Sequence, residues 1–320
     1  GIDAHVDNFG LIAAYGGDIG NIAVNVNTSN GPSPNYGYGS IVVHNSGIIT
    51  AGNKYDATSN QSFGYSYGIR AFSDGDISVS NVGDYGSPAG ILASTLNGDA
   101  FAIRALSDGG DINISNGNAL SKYSVVAAIS DNDYGASIAQ VTAIYAEALS
   151  GAVDIHNSGF VLAANGNYGD AIGIRAEATG GAFLPFAVYS SPGDIDVVNN
   201  GVVYAIAYSG NATGIDADSN VGDITIGNGG AIIARAGNGT ATGIDASTSK
   251  YGNVSIGNTG QIDVRGEYGA QGVHASTEYG SIDVTNNVQF DSYGDAIAGT
   301  GAIAARVETS GSATGIWAYV

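Results

Sequence analysis

The most regular signal in the chain is a short alternation of aliphatic and polar positions that returns every 28 residues (252 to 280) to 42 residues (151 to 193). Gly193, Gly222 and Gly252 each open a segment close to G-x-I-x-V-x-N, and equivalent openings stand at Gly39, Gly75, Gly110, Gly151 and Gly280, with an irregular first copy near Ile2. Within these segments Ile41 and Val43, Ile77 and Val79, Ile112 and Ile114, and their counterparts through Ile282 and Val284 occupy every second position. Side chains of a strand alternate faces, so this period predicts a short strand with one buried face. A second strand is legible in GGAIIARA at 229 to 236 and in GAIAARV at 301 to 307. A third follows the pattern G-I-x-A, from Ile69 and Ala71 to Ile316 and Ala318.

A unit of this size with three short strands cannot bury its own apolar side chains, so successive copies must stack, each strand pairing in parallel with its equivalent in the next. The prediction is an all-β, three-faced β-solenoid of about nine coils, roughly 43 Å long at a strand spacing near 4.8 Å. Six residues after each opening glycine stand Asn45, Asn81, Asn116, Asn157, Asn199, Asn228, Asn258 and Asn286, with Asn8 completing the column. Asparagine tolerates the backbone angles of a tight corner, and amides one strand spacing apart can hydrogen-bond along the axis. A structural asparagine ladder is therefore expected, supported by Gly47, Gly159, Gly201, Gly229 and Gly260 at the same corner. The whole chain reads as one solenoid domain, with longer coils over 1–192 and regular coils of 28 to 30 residues over 193–286. Loop insertions are expected near 28–38, 52–66, 83–100, 118–137, 179–192 and 287–300, with 301–320 ending the last coil.

Composition narrows the class of partner. The 320 residues include 51 Gly and carry a formal charge of −20, which repels nucleic acid and anionic lipid headgroups and leaves cations, neutral glycans or basic surfaces as better partners. The chain holds neither Cys nor Met, so it has no disulfide, thiolate metal site or cysteine nucleophile, and Gly1 reads as the start of an excised chain. No apolar run approaches the roughly 20 residues of a membrane helix, so this segment is not expected to insert into a bilayer.

Two sets of residues are candidates for chemistry. The position between Ile and Ala in the third strand holds Arg70, Arg104, Tyr145, Arg175, Asp216, Asp245, His274 and Trp317 in succession. Arg70, Arg104, Tyr145, Arg175 and Trp317 form a candidate contact strip for an anionic sugar or a partner; the alternative is a solvated face whose charges pair, Arg175 with Glu147 and Glu177. Asp76 with Asp111, and Asp194 with Asp223, follow the opening glycine in adjacent coils, so a calcium ion is a candidate cofactor there, beside ordinary Gly-Asp turn chemistry. The four histidines lie in different copies and at no spacing of a known zinc motif, so no zinc site is expected. Neither a nucleophile elbow nor a phosphate loop is present, and catalysis is not expected. Nineteen tyrosines, many in Tyr-Gly pairs, fit either glycan or protein contacts or a shield over glycine backbones.

The unit G-D-I-x-I-x-N-x-G-x-I-x-A followed by G-x-A-T-G-I-x-A resembles the passenger regions of bacterial autotransporters and filamentous-haemagglutinin-like surface proteins. That resemblance implies a right-handed parallel β-helix, secretion, display at the bacterial cell surface, adhesion and self-association, with no catalytic residue to carry over. Copies of the chain, stacking through open solenoid ends into a filament, or flanking repeats of a longer chain, are the expected partners, and glycans or host matrix surfaces are further ones. The alternative is a β-helix that binds or cleaves polysaccharide.

Overall fold

The computed structural model describes residues 3–16, 21–28, 39–53, 64–84, 86–96, 98–118, 123–131, 139–180, 193–287, 301–309 and 311–320. Among the described residues 27 strands form three nine-stranded sheets, and every pairing between these strands is parallel. Each coil contributes one strand to each sheet, giving a three-faced solenoid of nine coils. The first sheet runs from Ala4–Asn8 to Ile282–Asn286, the second from Leu11–Gly16 to Ala302–Val307, and the third from Asn21–Asn27 to Ser312–Tyr319.

Rows of like residues fill the interior. The first sheet supplies the Ile and Val pairs read from the repeat, the second supplies Ile-x-Ala and Val-x-Ala pairs such as Ile91 with Ala93 and Val161 with Ala163, and the third supplies Ile-x-Ala. Nearly all of these are fully buried in coils two to eight; in the ninth coil Ile282, Val284, Ile303 and Ala305 are only partly covered, and Ile316 is exposed, because no further strand packs over them.

Asparagines at the corner between the first and second sheets form an unbroken ladder. Each Nδ2 donates to the Oδ1 of the next coil's asparagine, from Asn8 to Asn45 and onward through Asn81, Asn116, Asn157, Asn199, Asn228, Asn258 and Asn286, at 2.7 to 2.9 Å. The amides of the seven central members are buried, so each partner bond replaces one that water can no longer make. From Asn45 onward the residue after each asparagine donates its backbone N–H to the carbonyl oxygen of the previous coil's asparagine, and in the coils of Asn157, Asn199, Asn228 and Asn258 the next residue does so too, as Asn200 and Gly201 do to Asn157.

Glycine columns let the corners stack this closely. A Cβ on Gly222 would lie 2.5 Å from the carbonyl oxygen of Gly193, and one on Gly252 would lie 1.9 Å from that of Gly222. At the asparagine corner the stacked column runs through Gly47, Gly159, Gly201, Gly230 and Gly260. This corrects Gly229: it lies against the side chain of Asn200, while Gly230 holds the position two residues past the ladder, as in the other coils.

Two expected insertions contain strands instead. Ala89–Thr95 lies inside 83–100 and Ser124–Ser130 inside 118–137, and both belong to the second sheet. Leu92, Val125 and Ile129 at outward positions are apolar, as is the buried Ala127, so the period-two signal is lost in the apolar runs AGILA and VVAAI. The insertions expected near 28–38, 52–66, 179–192 and 287–300 fall mainly on residues outside those described. Among the described residues no helix is long and apolar enough to cross a membrane.

Removing one amide from the middle of the ladder orphans a buried donor on one side and a buried acceptor on the other, each costing about 1–3 kcal/mol. Asn199→Ala should therefore lower the denaturant midpoint strongly, whereas Asn286→Ala, in the partly exposed ninth coil, should lower it little. Equal losses in guanidinium melts would contradict the ladder's role.

Candidate contact faces

With the interior filled by aliphatic rows, recognition falls to the outer faces. On the third sheet the parallel register stacks Arg70, Arg104, Tyr145, Arg175, Asp216, Asp245, His274 and Trp317 in one row, as expected. A second row beside it holds Phe72, Leu106, Glu147, Glu177, Asp218, Ser247, Ser276 and Tyr319. Together they divide the face into three bands.

The first band is cationic and aromatic. The Arg70 guanidinium sits 4.6 Å from the Phe72 ring centroid. Arg104 lies within 5.8 Å of the rings of Tyr67, Phe101 and Tyr145 and donates from Nη1 to the Tyr67 hydroxyl at 3.0 Å. Tyr67 and Phe101 are themselves buried and stacked at 5.3 Å, so they act as a platform that fixes the arginines.

The second band is acidic and internally paired. Arg175 bonds to Glu177 and approaches Asp216 at 3.7 Å, and the hydroxyl of Tyr145 lies 2.7 Å from Glu147 and 3.0 Å from Glu177. Burial, then the hydrogen bond from Tyr145 to Glu147, pushes the Tyr145 phenol well above its ordinary range, so it stays a donor. Glu147 thus bonds to Tyr145, and Glu177 supplies the ion pair of Arg175. Burial, reinforced by Asp218, Asp245 and Glu177, pushes the Asp216 carboxyl up to about 7 although Arg175 opposes it.

The third band groups the exposed rings of Trp317 and Tyr319 with His274, whose Nδ1 lies 2.6 Å from Asp245. The structure therefore gathers Arg70, Arg104, Tyr145 and Arg175 into one patch and leaves Trp317 four coils beyond Arg175, roughly 19 Å away at the strand spacing.

The stacked corner aspartates perform a structural task. Oδ1 of Asp76 accepts the backbone N–H of Asp111, and Asp111 accepts that of Ala152; Asp194 does the same for Asp223, and Asp223 for Asn253, at 2.7 to 3.0 Å. The turn reading anticipated a local acceptor, but the bonds run between coils and tie each opening corner to the next. One oxygen of each carboxylate is thereby committed to backbone.

Sequence reasoning missed the outer face of the second sheet. Its strands stack Phe160 on Val202, Leu162 on Tyr204 and Ile233, and Ala164 on Ile206, all half-buried with nothing in the described structure across them, beside exposed Val125. Toward the ninth coil this apolar face gives way to Asp263 and to a row of Arg235, Arg265 and Arg306. Arg235 bonds to Asp263 at 2.6 Å. The signal lay in outward positions of the alternation, legible only once the face was known. Of the tyrosines in Tyr-Gly pairs, Tyr15, Tyr168, Tyr251, Tyr268 and Tyr279 are exposed and Tyr67 is buried, while Tyr36, Tyr38, Tyr85, Tyr134 and Tyr293 lie outside the described residues.

Comparison with family models, with curated proteins and with solved structures gave no match, so the chemistry of these faces carries the functional reading.

Because the folded Asp216 binds its proton more tightly than the unfolded chain does, native protein holds the extra proton between about pH 4 and 7, and stability falls as pH rises through that window. Asp216→Asn should flatten that decline, raising the melting temperature relative to the parent at pH 8 more than at pH 4. Parallel pH profiles for the two proteins would contradict the burial of this carboxyl.

Proposed function

We propose that this chain is a non-catalytic structural and adhesive β-solenoid of an extracellular or bacterial cell surface. The observation that carries the reading is the half-buried apolar outer face of the second sheet, running across consecutive coils on a rigid stack. Contiguous exposed apolar surface on a folded domain marks contact with another molecule or surface. The banded third sheet adds arginines held on aromatic rings and an exposed Trp317 and Tyr319 pair, side chains suited to glycan or protein contact. The filament form of the proposal stacks further copies along the axis through the same parallel pairing that joins the coils within the chain.

One observation favours the polysaccharide-cleaving alternative: Asp216, with its carboxyl pushed up to about 7, lies in register between Arg175 and Asp245, in the pattern of a general acid beside other carboxylates.

Displaying the chain on a non-adherent bacterium and measuring retention on apolar and glycan-coated surfaces tests the adhesive reading. Retention should exceed that of empty cells and fall several-fold with Leu162→Ser plus Tyr204→Ser, both outward-facing changes that should leave the circular dichroism spectrum unchanged. Retention equal to empty cells removes the proposal. New reducing ends from a polysaccharide, abolished by Asp216→Asn, would replace it with the enzyme.

A further inference from the structure

The first two coils bring together three ligating side chains that lie far from any sequence motif. His5 and Asp7 stand two residues apart on the outer face of the first coil's first strand, and His44 stands directly opposite Asp7 in the second coil. Strand period and strand spacing thus place two imidazoles and one carboxylate at the corners of a small triangle. His5 Nε2 lies 2.9 Å from Asp7 Oδ2, and the two imidazole rings meet edge-on with centroids 5.5 Å apart. Ligand atoms of all three lie within 4.8 Å of one another, and among the described residues no other group of three or more His, Asp or Glu side chains does so.

Backbone register makes this geometry durable. The strands pair residue by residue from Ala4 with Ile41 to Asn8 with Asn45, and the first rung of the asparagine ladder follows Asp7 and His44 by one position. Zinc bonded to nitrogen and oxygen at about 2.0–2.2 Å needs its ligands roughly 3.3 Å apart, which exposed side chains on a fixed backbone reach by small rotamer changes. Two neutral imidazoles and one carboxylate suit a divalent transition ion better than calcium, which prefers oxygen ligands. The exposed position leaves at least one coordination site for water or for a ligand from another molecule.

We propose that His5, Asp7 and His44 bind a divalent transition-metal ion of the zinc class on the outer face of the first two coils. The chain contains its own control. His156 and Asp154 form the same two-residue pair in reverse order at 2.8 Å, but the positions opposite Asp154 hold Asn113 and Asp196 and those opposite His156 hold Ser115 and Val198, so a second imidazole is missing.

The test is calorimetric titration of the tag-free full chain with zinc chloride, with cobalt(II) absorption as an independent report of ligand geometry. One zinc per chain is expected, with affinity reduced in His44→Ala and in Asp7→Asn by at least the roughly 10–100-fold that loss of a mere outer-sphere partner costs. His156→Ala should bind as the parent does. Thermal melts without metal should be unchanged in all three variants, separating ligand loss from misfolding. No saturable zinc binding, parental affinity in His44→Ala, or an equal loss in His156→Ala overturns the site.

Discussion

Buried amide groups in a dry interior tolerate no vacancy, and the asparagine ladder turns that intolerance into architecture. A coil that slipped by one residue along its neighbour would send its aliphatic row to solvent and would leave a buried Nδ2 and a buried Oδ1 without partners. Hydrophobic burial alone fixes which face of each strand points inward. The ladder adds the exact vertical alignment of coils whose lengths differ by more than ten residues, so that inserted segments can vary without disturbing the rows between them. Glycine columns serve the same end, because the corner backbones stack too closely for any Cβ.

From this alignment the candidate contact surfaces follow. Residues at one offset in the repeat become neighbours about 4.8 Å apart, so a row of chemistry along the axis is written as one position sampled at long intervals in sequence. The arginine and carboxylate bands of the third sheet, the apolar rows of the second and the His5, Asp7 and His44 triangle of the first all arise in this way. None depends on a loop or a pocket. The corner aspartates, which capture backbone N–H groups of the following coil, show the same principle used for cohesion.

Much of the fold was legible because two of the three strands alternate cleanly and the asparagine column recurs at one offset. What escaped had physical causes. Ala89–Thr95 and Ser124–Ser130 read as insertions because an outward face carrying Leu92, Val125 and Ile129 erases the alternation that marks a strand. Local motif logic placed Gly229 at the asparagine corner, where the coil-to-coil geometry selects Gly230. The third-sheet row was predicted residue by residue, yet its division into an aromatic platform for Arg104 and a carboxylate group around Tyr145 and Arg175 depends on side-chain packing between coils. The histidine triangle was invisible to motif spacing because its members combine a separation of two residues with one of 39 (44 − 5).

Side-chain amide hydrogen exchange, followed by NMR on the intact chain, tests the stacked ladder most directly. Asn116, Asn157, Asn199, Asn228 and Asn258 should each show side-chain amide protons protected as long as the neighbouring strand backbone, while the solvent-facing Asn200 and Asn211 exchange rapidly. Rapid exchange of the ladder amides alongside a protected backbone would contradict the account.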